Sequence, residues 1–313
     1  MARHVTIATF NAGYGNAGEF AGKYEHASSV TFGPTLATNL DRYEALIDEA
    51  GTRHEADFVC FSEHALTYGV QGSDVERALA VPGPEVERLA AAAAKAKCYV
   101  IMGLLEQAGE RPYNSAVVLG PEGSLLGVYR KVHLTPGEYV TRTAGSAWPV
   151  FTTPIARIGV QICYDYYYPE ATRCLALGGA EIVFSPTMND ARGLEQVLAL
   201  QRARAIDNGL YFVSATTFCG GHEPHGTGRS VIIDPVGVIR ADSGSRDGWA
   251  VATVDLDDPF PQYWSGVPAA QRMRAMLFKG RRPDTYDAIT APKDAPPWRE
   301  IMLDGSDPGY PET

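Results

Sequence analysis

Short runs of β-branched and apolar residues alternate along this chain with segments of helical periodicity, the pattern of a layered α/β fold. Residues 5–8 (Val-Thr-Ile-Ala) predict a first strand. A helix is expected over 39–50, where Leu40, Tyr43, Leu46, Ile47 and Ala50 recur at helical spacing. The apolar run 56–61 predicts a strand that stops at Ser62 and Glu63, the Ala-rich stretch 84–96 a helix, and 99–104 a further strand. Residues 116–119 and 125–129 flank Pro121-Glu-Gly123 and read as a hairpin, which ends at Arg130 and Lys131.

The segment Arg157-Ile-Gly-Val-Gln-Ile-Cys163 is an apolar run ending in a cysteine. It turns through Asp165 and restarts as a helix at Pro169-Glu170, a sound helix start. A cysteine between a strand end and a helix N-terminus meets the positive end of the helix dipole, which favours thiolate. Helices are expected over 169–177 and 194–208, and strands over 180–185, 210–215 and 249–254, with a strand-turn-strand over 231–239. Beyond Asp257 the chain turns Pro-rich and irregular. One domain, 1–257, is therefore expected, followed by a C-terminal extension, 258–313, packed on the domain or on a partner subunit. The long Gly-rich loop 13–37 reads as part of a substrate lid or an oligomer contact.

Composition narrows the function classes. The 313 residues carry 27 basic against 37 acidic side chains, a net charge of -10, the wrong sign for nucleic acid or an anionic membrane surface. The five cysteines, Cys60, Cys98, Cys163, Cys174 and Cys219, show no CxxC spacing and signal neither a disulfide framework nor a zinc site. His222 and His225 lie close together without further ligands, so no metal is expected there. With no signal-peptide pattern and no stretch of membrane-spanning length, a cytoplasmic protein is expected.

Three polar residues stand at the ends of apolar strands: Glu63, Lys131 and Cys163. Taken singly, each has an ordinary reading as a solvated strand end, a surface charge or a packed thiol. Together, at strand ends where α/β sheets bind ligands, they make an acyl-transfer set. Cys163 would be the nucleophile and Glu63 the general base; Lys131, with the backbone N–H of Tyr164, would stabilise the oxyanion.

The chain resembles the carbon–nitrogen hydrolase family, or nitrilase superfamily. The resemblance rests on Phe61-Ser-Glu63-His-Ala-Leu-Thr67, on Tyr129-Arg-Lys131-Val-His-Leu134, and on Gln161-Ile-Cys163-Tyr-Asp165 through Pro169-Glu170. Further matches are Tyr113-Asn-Ser-Ala-Val-Val-Leu119, Gln201-Arg-Ala-Arg-Ala-Ile-Asp-Asn208 and Gly228-Arg-Ser-Val-Ile-Ile-Asp-Pro-Val-Gly237. It implies an αββα sandwich with mixed sheets that pairs as a homodimer or a higher homo-oligomer. It also implies cofactor-free, metal-free hydrolysis of a non-peptide C–N bond of a small amide through a thioester, with release of ammonia. A second family glutamate matches Glu138, which would position substrate or support the proton transfers.

Tyr164-Asp165 followed by Pro169-Glu170 resembles the amidase-type branch; the Trp-Glu usual after the cysteine of true nitrilases is missing. Tyr166 and Tyr167 stand where D-amino-acid carbamoylases usually place arginines. The tyrosine run suits either a pocket wall, with Tyr164 and Tyr167 against substrate, or packing of the helix start. Asn189 and Asp190 would supply polar contacts or cap the next segment. A nitrilase or N-carbamoyl amidohydrolase on the same scaffold is the alternative, and a catalytically silent binding subunit the alternative of another class.

Overall fold

The fold comes from a computed structural model, which describes residues 2–13, 35–188, 194–218, 228–244 and 247–291. The first half contributes β1 (His4–Gly13), α1 (Leu36–Thr52), β2 (Phe58–Cys60), α2 (Asp74–Arg77), α3 (Pro84–Ala96), β3 (Tyr99–Glu106), β4 (Tyr113–Leu119), β5 (Leu125–Arg130) and α4 (Pro136–Thr141). The second contributes β6 (Val150–Thr152), β7 (Arg157–Val160), a 3-10 turn (Cys163–Tyr167), α5 (Pro169–Leu177), β8 (Ile182–Met188), α6 (Leu194–Asn208), β9 (Tyr211–Phe218), β10 (Val231–Ile233), β11 (Ile239–Asp242) and β12 (Gly248–Asp255).

The strands run in the order β5-β4-β3-β2-β1-β9-β8-β7-β6, with β12 antiparallel on β1 and the β10–β11 hairpin on β9. Parallel pairs (β1 with β2, β2 with β3, β7 with β8, β8 with β9) fill the centre, and antiparallel strands lie at the margins. The two halves meet where the tip of β1, Ala12 and Gly13, pairs with Thr217 and Phe218 of β9.

Three apolar clusters define the layers. One joins α1 and α3 to the first half-sheet, through Tyr43, Ile47, Leu89 and Ala93 against Val59, Phe61 and Val100. A second lies between the half-sheets, where Ile7, Phe58 and Ile101 meet Ile158, Phe184 and Val213. The Phe58 and Phe184 rings are 5.7 Å apart across that gap. The third joins α5 and α6 to the second half-sheet, through Leu175, Ala176 and Ala205 against Val183 and Phe212. Helix, sheet, sheet, helix is the αββα arrangement expected from the resemblance. Each such fully buried Ile or Phe adds about 1.5–3 kcal/mol by leaving water.

Three helices keep the bounds read from the sequence, Pro84–Ala96, Pro169–Leu177 and Leu194–Asn208. Several strands are longer than their hydrophobic runs: β1 continues to Gly13, β8 to Met188 and β9 to Phe218. Their polar tips are held by ladder hydrogen bonds, which hydropathy does not report. After β12 the chain is not wholly irregular. It forms β13 (Pro261–Gln262), β14 (Gln271–Arg272), α7 (Met273–Lys279) and α8 (Asp287–Thr290). Phe278 of α7 packs on the third cluster, and Arg274 donates to the Ala176 carbonyl at 3.2 Å.

Candidate active site

The strand ends of β2, β5, β7 and β8 converge at one end of the sandwich. Glu63 follows β2, Lys131 follows β5, Cys163 opens the turn after β7, and Met188 closes β8. Glu63, Lys131, Glu138 and Cys163 are all buried. The Lys131 ammonium donates to Glu63 Oε1 at 2.9 Å and to Glu138 Oε2 at 2.7 Å. Asn114 of β4 donates from one amide nitrogen to the same two carboxylates, at 2.7 and 2.8 Å. Buried charges at this density persist only when each is paired and hydrogen-bonded.

Met188 joins Glu63 to the Cys163 thiol through its backbone. Its N–H donates to Glu63 Oε2 at 3.0 Å, and its carbonyl accepts from Cys163 Sγ at 3.4 Å. Cys163 has a φ of 45°, the left-handed region that non-glycine residues seldom enter. The surrounding turn enforces it: Asp165, fully buried, accepts from the Ile162 N–H at 2.8 Å, the His133 N–H at 2.9 Å and the Tyr129 hydroxyl at 2.6 Å. Arg204 of α6 closes the other side, donating to the Tyr166 and Tyr167 carbonyls at 2.9 and 3.3 Å.

Burial pushes the Cys163 thiol up and the Glu63 charge adds to it, against a smaller opposing pull from Lys131. The resting thiol is therefore neutral. The expected helix-dipole effect does not decide its state, because α5 starts only at Pro169, beyond the turn. Burial would lower the Lys131 ammonium, but the facing carboxylates of Glu63 and Glu138 outweigh it and raise it. Burial would likewise raise Glu138; Lys131 and Arg142 win and hold it well below the usual carboxylate range.

Glu138 sits in α4, where its carboxylate also accepts from the Thr135 N–H at 2.9 Å and pairs with Arg142. Arg142 reaches Asp74 at 3.0 Å and His64 Nε2 at 2.9 Å. The ligand atoms of Glu63, His64 and Glu138 lie within 4.8 Å of one another, a spacing that suits a metal ion. Here the Lys131 ammonium already lies between the two carboxylates and Arg142 engages His64, so the place of a cation is taken.

The other sequence candidates are placed less centrally. Tyr164 is half-buried, with its ring 5.4 Å from Tyr167 and 5.3 Å from Tyr168. Tyr166 is fully buried in the third cluster, where packing accounts for its ring; Tyr167, half-buried, stacks on it at 4.9 Å. Asn189, Asp190, His222, His225 and most of the 13–37 loop lie outside the described residues. Sequence reasoning gave no role to Asn114, Met188, His64, Arg142 or the Asp165 carboxylate. Asn114 had a signal, its place in the matched segment Tyr113-Asn-Ser-Ala-Val-Val-Leu119; the Met188 contacts are made by backbone and had none.

Comparison with known proteins agrees with this fold. The carbon–nitrogen hydrolase family model matches residues 27–259. A deaminated glutathione amidase of Synechocystis is 34% identical over 248 residues, covering 74% of this chain and 91% of that protein. An omega-amidase of Danio rerio is 32% identical over 265 residues, covering 80% and 91%. Among solved structures, a carbon–nitrogen hydrolase from Helicobacter pylori superposes with a TM-score of 0.70 at 21% identity, covering 92% of this chain and 98% of that one. An amidase from Nesterenkonia gives a TM-score of 0.68 at 22% identity, covering 92% and 97%. Among the described residues no helix is long and apolar enough to cross a membrane. With the family match spanning most of the chain and amidases among its relatives, the chain belongs to the carbon–nitrogen hydrolase family, on its amidase-like branch.

Proposed function

We propose that this enzyme hydrolyses a small primary amide to the acid and ammonia through a thioester on Cys163. The observation that carries the reading is the Met188 backbone, whose N–H holds Glu63 and whose carbonyl receives the Cys163 thiol. Base and nucleophile are thereby tied to one peptide segment.

A neutral thiol must lose its proton as it attacks, and Glu63 is the acceptor. The new S–C bond converts the amide carbonyl to a tetrahedral oxyanion, stabilised by the Lys131 ammonium and the Tyr164 N–H. Losing one such donor costs about 3 kcal/mol of barrier. Protonated Glu63 returns its proton to the departing nitrogen, which leaves as ammonia. Water then attacks the thioester with Glu63 again as base, and the acid leaves as the thiol is restored. Glu138 and Asn114 fix the geometry of Lys131 and Glu63, while Tyr164, Tyr167 and Asn189 are assigned to the substrate side.

Residues 1–257 form the catalytic domain in this reading, and the extension serves assembly. Tyr263 and Trp264, 81% and 57% exposed, are offered as contacts of a homodimer or larger homo-oligomer. The test is ammonia release from amides, carbamoyl compounds and nitriles, with Cys163→Ala as the blank. Cys163-dependent turnover of amides is expected. Turnover of nitriles alone would overturn the amidase assignment, and turnover that survives Cys163→Ala would overturn the mechanism.

A further inference from the structure

Six charged side chains of alternating sign run in one row from the strand ends to helix α2: Glu63, Lys131, Glu138, Arg142, Asp74 and Arg77. The first three belong to the reaction proposed above, which makes no use of Arg142. That arginine caps α4 one turn beyond Glu138, and its backbone N–H donates to the Glu138 carbonyl at 2.8 Å. Its guanidinium has partners on three segments. It pairs with Glu138 Oε1, donates through Nε to Asp74 Oδ2 at 3.0 Å, and donates to His64 Nε2 at 2.9 Å. The side chains of Arg142 and Asp74 are each 15% exposed, so these contacts lie largely out of water. Arg77 holds Asp74 from the other side. His64 follows Glu63 in the chain, and burial, reinforced by Arg142, keeps its imidazole neutral and able to accept.

The Glu138 carboxylate is engaged at both oxygens. Oε1 accepts from Arg142 and from Asn114, the latter at 2.8 Å; Oε2 accepts from Lys131 at 2.7 Å and from the Thr135 N–H at 2.9 Å. Held in this way it cannot turn, and it fixes the direction of the Lys131 N–H that it receives. An ammonium carries three N–H donors. Glu63 and Glu138 take two of them, which leaves a single direction for the third. Without Arg142, Oε1 keeps only Asn114, and Glu138 is able to swing and offer both oxygens to Lys131. The ammonium then shifts toward Glu138, and its third N–H turns with it.

We propose that Arg142 is a positioning residue: acting through Glu138, it aims the third N–H of Lys131 at the oxyanion that forms as Cys163 attacks a carbonyl carbon. This rests on the reading above, in which Cys163 is the nucleophile and Lys131 the oxyanion donor.

Arg142→Gln and Arg142→Lys are compared with the wild type in amide kinetics and with two probes that need no turnover. Butanal is the first. The Cys163 thiol proton passes to Glu63, the S–C bond forms, and the C=O π pair becomes an oxyanion, so its affinity reports Lys131. Iodoacetamide is the second. The same proton leaves and sulfur displaces iodide, but no oxyanion forms. Arg142→Gln lowers kcat about ten- to a hundred-fold with KM within about three-fold, and weakens butanal by a similar factor, somewhat less than the loss of an oxyanion donor outright. Alkylation of Cys163 stays within about two-fold, because Glu63 keeps the Lys131 ammonium and the Met188 N–H. Arg142→Lys keeps a cation without the planar fork and recovers part of the butanal affinity. Should Arg142→Gln prove too unstable to assay, Arg142→Lys must show the same selective loss at smaller size. Wild-type kcat and butanal affinity overturn the proposal. So does a parallel fall in butanal binding and alkylation, the mark of a merely structural role. Cys163-dependent amide turnover that Arg142→Gln leaves unchanged removes the positioning role and leaves the amidase reading standing. Butanal binding weakened by Arg142→Gln, with no amide turned over by the wild type, does the reverse.

Discussion

Tyr129 donates its hydroxyl hydrogen to the buried carboxylate of Asp165 at 2.6 Å, joining the strand that delivers Lys131 to the turn that presents Cys163. Burial, then the Asp165 charge, keeps that hydroxyl protonated. The same oxygen accepts from the Val132 N–H at 3.3 Å, next in chain to Lys131. Tyr129→Phe keeps the ring, stacked on Trp148, and removes only these bonds. It is expected to cost about 1–3 kcal/mol of stability, the price of leaving a buried acceptor short of a donor. The drop in kcat should exceed any change in KM. Urea unfolding and amide kinetics check this; a Tyr129→Phe protein with wild-type midpoint and kcat would show that the bond does not position the turn.

Glu138 makes the acid limb of stability predictable. Lys131 and Arg142 overcome its burial and hold it below its unfolded value. A depressed carboxylate contributes stability above its unfolded pKa of about 4.3, and that contribution is lost as pH falls through the folded value. Wild-type protein should therefore lose stability steeply below about pH 4. Glu138→Gln, less stable at neutral pH, should lose less over that interval. Lys131 gives the opposite sign: raised in the fold, it stabilises below its unfolded pKa of about 10.4 and stops doing so as pH rises through the folded value. Unfolding midpoints at pH 3–10 decide the matter; parallel acid limbs for wild type and Glu138→Gln would contradict the assigned pairing.

The sequence made the side-chain half of this site legible. Glu63, Lys131 and Cys163 end apolar runs, and the structure brings them to one end of the sandwich, with Glu138 beside them. The helices Pro84–Ala96 and Pro169–Leu177 were legible because a proline opens each. The backbone half was hidden. Met188 lies three residues beyond the hydrophobic run of its strand, and it acts through N–H and C=O groups common to nearly all residues. The short α4 carried a readable sign, Thr135 followed by Pro136 and Glu138. Helix α7 was obscured because its apolar residues lie among prolines and exposed loops.

The cysteines should separate by mechanism under an amide-shaped alkylator such as iodoacetamide at pH 7. Cys60 and Cys98 are buried, and burial pushes the Cys98 thiol up to about 12. Cys174 is exposed and labels as an ordinary surface thiol. Cys163 is also raised, so under the proposed mechanism its labelling is expected to depend on proton removal by Glu63. Glu63→Gln should slow alkylation of Cys163 by at least ten-fold and leave Cys174 within two-fold, read by peptide mass spectrometry. Equal Cys163 labelling with and without the carboxylate would remove Glu63 as the base.

Two substitutions that are both expected to stop turnover should differ sharply in stability. Cys163→Ala deletes a neutral thiol that donates one sulfur hydrogen bond to the Met188 carbonyl, and it relieves no charge. Its unfolding midpoint should stay near wild type, with a change of about 1 kcal/mol. Lys131→Ala removes the ammonium that Glu63 and Glu138 share; Glu138 keeps Arg142, but Glu63 is left without a cation, facing a second buried carboxylate with Asn114 between them. Breaking a buried pair from one side typically costs about 3–5 kcal/mol, because the remaining charge is uncompensated. Lys131→Ala should thus be inactive and strongly destabilised, and lowering the pH toward 5 should recover part of the loss as one carboxylate takes up a proton. A Lys131→Ala protein as stable as Cys163→Ala at pH 7 would mean that the carboxylates are neutralised by another route, and the electrostatic account of the site would have to be redrawn.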